Sequence, residues 1–174
     1  ERKEYRILVI FSKRTATRLT KLAAAIADQK NGEISFLNVI TVPKQTPLSF
    51  ANKSGETGIG TFDKFKKSIS HSIRHRYFVR LSHDPTEAIL ATAEEQGINT
   101  MIVDFSFLRK NRKLLSLSTC DIIGVKLGQK FDKDISNIII SYDKGRHSNL
   151  GLEIAHDISK EYNSKIRIVR GVTQ

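Results

Sequence analysis

The sequence predicts an α/β fold: a doubly wound, parallel, five-stranded sheet followed by a partial second βαβ unit. Short apolar runs of strand length alternate with stretches that carry a single apolar stripe at helical spacing. The runs at 5–11, 99–104 and 121–127 are nearly unbroken Ile, Val and Leu, the composition of strands covered on both faces. The opening of the chain is also repeated near its end.

The first strand is predicted at 5–11 (YRILVIF) and the second at 34–42 (ISFLNVITV). Between them Leu19, Leu22, Ala23, Ile26 and Ala27 recur at i, i+3, i+4, i+7 and i+8, one apolar stripe on a helix. Residues 43–60 break the rhythm: they hold Pro43, Pro47, Gly55, Gly58 and Gly60 and read as a long mobile loop over the sheet edge. Phe62, Phe65, Ile69 and Ile73 predict a helix over 61–75, and 77–81 (YFVRL) a third strand. The helix over 84–96 opens on Asp84 as cap. Pro85 follows in the first turn, where its missing N–H costs nothing, and Glu87 is placed to complete a capping box. Gly97 ends that helix in a left-handed cap. The last two strands of the sheet are predicted at 99–104 and 121–127.

Residues 6–17 align with 137–148, and 22–41 with 154–173 after a one-residue gap. Ile7 meets Ile138, Leu19 Leu150, Ala23 Ala155, Ile26 Ile158, Ile34 Ile166 and Phe36 Ile168. The expected organisation is a complete unit over 1–130 and a partial strand–helix–strand unit over 131–174. A lone unit of the second kind cannot cover its own apolar faces, so it is expected to pack on the first unit or on another chain.

Hydrophobic residues at 39% and charged residues at 27% exclude a disordered chain. No apolar run approaches the roughly 20 residues that cross a bilayer, and the first residues are charged, with no apolar core of signal-peptide length after them. The only Met is Met101 and the chain starts at Glu1, so it is expected to be a processed product or a piece of something longer. A single cysteine, Cys120, allows no internal disulfide, fits a reducing compartment, and reads as a buried small hydrophobe. The net charge of +11 gathers in Lys64, Lys66, Lys67, Arg74, Arg76 and Arg80, and again in Arg109, Lys110, Arg112 and Lys113. Either cluster reads as a solvated basic face, or as a surface for anionic lipid or phosphate. No nucleic-acid-binding signature accompanies them, and none is expected as a partner.

The strand at 5–11, the segment 32–42 (GEISFLNVITV), the run 83–103 (HDPTEAILATAEEQGINTMIV) and 119–126 (TCDIIGVK) together resemble the universal stress protein family. The run 83–103 is the most telling, with its Asp-Pro-x-Glu-Ala-Ile helix start. The resemblance implies a universal stress protein or adenine nucleotide alpha hydrolase-like fold, cytoplasmic placement, and homodimers through the sheet edge. More narrowly, Arg14, Thr15 and Ala16 after the first strand, and 42–47 (VPKQTP), resemble the cytoplasmic tails of amino acid permeases and cation transporters. That narrower resemblance implies a parent transporter membrane domain as partner, with Glu1–Glu4 the end of a membrane-proximal linker and the domain on the cytoplasmic side of the membrane.

Members of the family that bind ATP resemble one another in a glycine loop after the fourth strand, whose amides approach phosphate beside a helix N-terminus. Here residues 105–118 (FSFLRKNRKLLSLS) contain no glycine, so the usual cradle cannot be built. The acid expected at the end of the first strand is also replaced, by Phe11 and Ser12. An adenine nucleotide in the first unit would be bordered by Phe11, Ser12, Val39 and Asp104, although Asp104 also reads as the cap of the following turn. In the second unit Asp143, Gly145 and Ser148 match the family's Asp-x-Gly pattern; they read either as a turn and helix cap or as a ribose and base contact.

His71 and His75, four apart on the helix expected at 61–75, are a possible metal pair, but no third ligand has a matching spacing, and they read as solvated histidines. No Ser-His-Asp set or paired acids support catalysis. The function expected is a non-catalytic cytoplasmic regulatory or interaction domain of a transporter, without a bound cofactor. Such a domain would bring its +11 surface to an anionic leaflet. The alternative is a stand-alone universal stress protein that binds an adenine nucleotide.

Overall fold

The structure, a computed structural model, describes residues 4–10, 16–47, 62, 73–126 and 135–170. The chain divides into two compact units, Glu1–Gly128 and Gln129–Gln174.

In the first unit β1 (Arg6–Ile10) pairs in parallel with β2 (Glu33–Thr41) on one side and β4 (Thr100–Asp104) on the other. β3 (Arg74–Ser82) adds outside β2, and β5 (Asp121–Val125) outside β4, both parallel. The order is therefore β3-β2-β1-β4-β5, the expected five-stranded parallel sheet. Ile7, Leu8 and Val9 are all fully buried, which consecutive strand residues reach only with cover on both faces.

That cover is what the helical stripes predict. α1 (Ala16–Lys30) packs on β1, β2 and β4 and buries Leu19, Ala23 and Ile26. On the opposite face α2 (Pro85–Glu95) brings Ile89 and Ala93 to Leu8, Leu37, Met101 and Val103. Asp84 accepts a hydrogen bond from the Thr86 amide at 2.8 Å, Pro85 opens the helix, and Gly97 turns out of it at φ +59°. Two short helices, α3 (Phe105–Lys110) and α4 (Lys113–Leu117), close the same face, each pinned by one buried leucine, Leu108 or Leu114.

The helix expected over 61–75 is corrected at its end. Arg74 and His75 already belong to β3, which starts three residues before the predicted strand. The i, i+4 spacing of Ile69 and Ile73 extended the helical reading too far, whereas Arg74-His75-Arg76-Tyr77 alternates with period 2, as an edge strand does. The possible metal pair on one helix goes with it: His75 is on a strand, its Nδ1 3.0 Å from the Ile73 carbonyl oxygen, and His71 lies outside the described residues. Phe62 is buried and stacks on Tyr77 with ring centroids 4.3 Å apart, beside Phe36 at 5.6 Å. Burial raises the Tyr77 phenol above its ordinary pKa. Of the loop expected at 43–60, only 43–47 are described, with a turn closed by Thr46 N–H on the Pro43 carbonyl at 2.9 Å.

The second unit is β6 (Asn137–Ser141), α5 (Arg146–Tyr162) and β7 (Lys165–Val169), a two-stranded parallel sheet with α5 packed on both strands. It repeats β1–α1–β2 in register: Ile138 pairs with Ile166 as Ile7 pairs with Ile34, and Ile140 with Ile168 as Val9 with Phe36.

Candidate functional site

In a doubly wound sheet ligands sit at the carboxyl ends of the strands, where the chain order reverses. Here that point lies between β1 and β4. Asp104 stands there as the last residue of β4. Its Oδ1 accepts from the amides of Ser106 at 2.8 Å and Phe107 at 3.2 Å, so the carboxylate caps α3. The first free amides after the strand, which in a phosphate cradle would meet the ligand, are thus taken by the chain's own carboxylate. The leucine-pinned turns of α3 and α4 fill the segment after it.

Val39, on β2 beyond the level of Ile10, is half-buried and packs against the core under α2. Phe11 and Ser12 lie outside the described residues. Among the expected contacts of a nucleotide in this unit, Val39 and Asp104 therefore flank the end of β1 on either side, Val39 apolar and Asp104 committed to its cap.

Asp143, Gly145 and Ser148 come together in the turn between β6 and α5. The Gly145 amide donates to Asp143 Oδ1 at 2.7 Å, and the Ser148 hydroxyl donates to the same oxygen while accepting from the Asp143 amide at 3.1 Å. These bonds, that of Ser148 first and that of Gly145 next, hold the exposed Asp143 carboxyl below its ordinary pKa. A Cβ on Gly145 would lie 2.9 Å from Asp143 Oδ1, so a larger residue there would have to push that carboxylate aside. Lys144 takes a left-handed φ of 67°. Here too a carboxylate is satisfied within its own loop.

Two features of the site were not apparent from the sequence. Gly124 of β5 lies under α3: a Cβ there would come within 2.9 Å of Leu108 Cδ2 and 3.4 Å of Phe105 Cδ2. A lone glycine in a strand is the signal that another element approaches closely. Asn111, between α3 and α4, donates from Nδ2 to the Phe107 carbonyl at 2.9 Å and accepts from the Thr86 hydroxyl at 3.4 Å, tying this turn to the start of α2. Cys120 is half-buried against the core rather than fully buried, and burial raises its thiol above the ordinary pKa. Among the described residues no group of three or more His, Cys, Asp or Glu is placed to hold a metal ion. Among them, too, no helix is long and apolar enough to cross a membrane.

No protein-family model matches the sequence, and no curated protein matches it. Solved structures do match. A universal stress protein from Archaeoglobus fulgidus DSM 4304 superposes with a TM-score of 0.64 at 15% identity, over 94% of this chain and 65% of that one. A universal stress protein from Archaeoglobus fulgidus in complex with dAMP gives 0.53 at 14% identity, over 71% of this chain and 98% of that one. A member of the universal stress protein family from Burkholderia pseudomallei gives 0.54 at 14% identity, over 70% and 96%. The class of molecule is a doubly wound α/β domain whose chain order reverses between β1 and β4. Its fold is the one seen in the universal stress proteins.

Proposed function

We propose that this chain is a universal stress protein whose first unit senses an adenine nucleotide, holding it by base and ribose at the carboxyl edge of the sheet, without catalysis and without a phosphate cradle. The strand order β3-β2-β1-β4-β5, with Val39 and Asp104 on either side of the β1 end, carries this reading. It is supported by the similarity of fold to a universal stress protein bound to dAMP. The phosphates face solvent in this mode, because the Ser106 and Phe107 amides are occupied by Asp104. Titration calorimetry with AMP, ADP and ATP is then expected to give affinities equal within a few-fold. No heat with any of the three overturns nucleotide sensing. ATP binding tighter than AMP by about tenfold or more, some 1.4 kcal/mol, overturns the cradle-free mode.

A second reading places the domain on the cytoplasmic side of a membrane transporter of the amino acid permease or cation transporter type. The basic segment at 109–113, which meets no carboxylate among the described residues, favours it. A reading frame that encodes membrane helices upstream of Glu1 supports that reading, and one without them overturns it. Either reading admits pairing of two copies through a sheet edge. β5 suits this better than β3, whose Arg74, Arg76 and Arg80 blunt that edge.

A further inference from the structure

We propose that the α3–α4 segment, residues 105–117, is a docking surface for an anionic lipid bilayer. The described members of the two basic clusters differ once folded. Arg74 pairs with Glu4, Arg76 with the buried Glu33, and Arg80 with Glu95. Arg109, Lys110, Arg112 and Lys113 are exposed, and among the described residues none of them meets a carboxylate. Residues 105–117 contain no acid, and the carboxylate just before them, Asp104, is spent on its cap.

The same segment carries every large apolar side chain that the first unit exposes among its described residues: Phe105 at 45%, Leu115 at 59% and Leu117 at 58%. Its inner leucines, Leu108 and Leu114, are buried at 5% and 0% exposure and fix it to the sheet. The outer face is thus held in place with four cations beside three apolar groups. Cations drawn to acidic headgroups and leucines seated at the acyl boundary are the two contributions that hold a protein on a membrane surface. Neither helix is long enough to span the membrane. Nucleic acid would use the cations but leave Leu115 and Leu117 in water, since within residues 105–117 Phe105 is the one exposed ring a base could stack on. Docking of this kind does not depend on whether a nucleotide is bound at the sheet edge.

Co-sedimentation of the whole chain with phosphatidylcholine vesicles, with and without about 30% phosphatidylserine, tests the proposal. Binding is expected only to the acidic vesicles. Arg109→Glu with Lys110→Glu is expected to lower the partition coefficient more than tenfold, at about fivefold per charge removed. Lys21→Glu with Lys44→Glu changes the net charge equally at exposed positions elsewhere and is expected to have a much smaller effect. The chain contains no Trp, so Leu115→Trp reports from that position alone. Its emission is expected to shift to the blue on acidic vesicles. Equal binding to both vesicles, an equal loss in the two charge-reversed variants, or an unshifted Trp emission in the bound state overturns the proposal. Tighter binding to a single-stranded nucleic acid than to acidic vesicles overturns it in favour of a nucleic-acid surface.

Discussion

Asp104 and Asp143 each close a strand end by turning a carboxylate onto groups a few residues downstream. For Asp104 these are the amides of Ser106 and Phe107, and Asp104→Ala is expected to cost about 1 kcal/mol, read as a lower midpoint in thermal unfolding. For Asp143 they are the Ser148 hydroxyl and the Gly145 amide, which lower its pKa. A carboxyl whose folded pKa lies below its unfolded value of about 3.9 contributes stability above that pH and loses it as the pH falls through the lower, folded value. The stabilisation by this turn is therefore intact at neutral pH and fades only in acid, below about pH 4. Ser148→Ala removes the largest contribution, and the Asp143 carboxyl should then titrate measurably higher by NMR. An unchanged titration would refute the assignment of the shift to Ser148.

Helices and strands here are shaped by close approaches as much as by pattern. α3 lies on β5 so tightly that Gly124 has no room for a Cβ, Leu108 Cδ2 standing 2.9 Å from where it would be. Leu108 is buried and has little freedom to yield. Gly124→Ala should cost about 1–3 kcal/mol, the usual penalty of overpacking, measured by chemical denaturation. A neutral result would mean that α3 lifts freely from the sheet. The outer strand on the other side is handled by charge: Arg76 makes a two-pronged pair with Glu33, with one contact at 3.3 Å, and Arg74 and Arg80 find Glu4 and Glu95. An edge strand carrying such residues resists addition of a further strand.

Across the whole chain one strand–helix–strand pattern is used in two surroundings. Leu8 of β1 and Ile139 of β6 are equivalent positions, yet Leu8 is fully buried under α2, whereas Ile139 is 66% exposed. Leu8→Ala should cost about 2–5 kcal/mol in equilibrium unfolding, the range for emptying a packed site. Ile139→Ala should stay within about 0.5 kcal/mol, as surface changes do. A large loss at Ile139 would mean that another surface covers it in solution.

The five parallel strands, the caps at Asp84 and Gly97, and the repeated unit were legible in the residues, because continuous Ile, Val and Leu runs, short polar caps and helical stripes are local consequences of burial and backbone chemistry. The absence of glycine at 105–118 was equally plain. The start of β3 was not, since Arg74 and His75 become strand residues only by pairing with Glu33 and Ile34, more than thirty residues earlier in the chain. The sequence offered Asp104 as a cap of the following turn, but it could not say that Gly124 makes room for Leu108, or that Arg74, Arg76 and Arg80 meet acids while Arg109, Lys110, Arg112 and Lys113 face solvent. Those outcomes depend on which distant groups the folded chain brings within reach, and only the tertiary structure decided them.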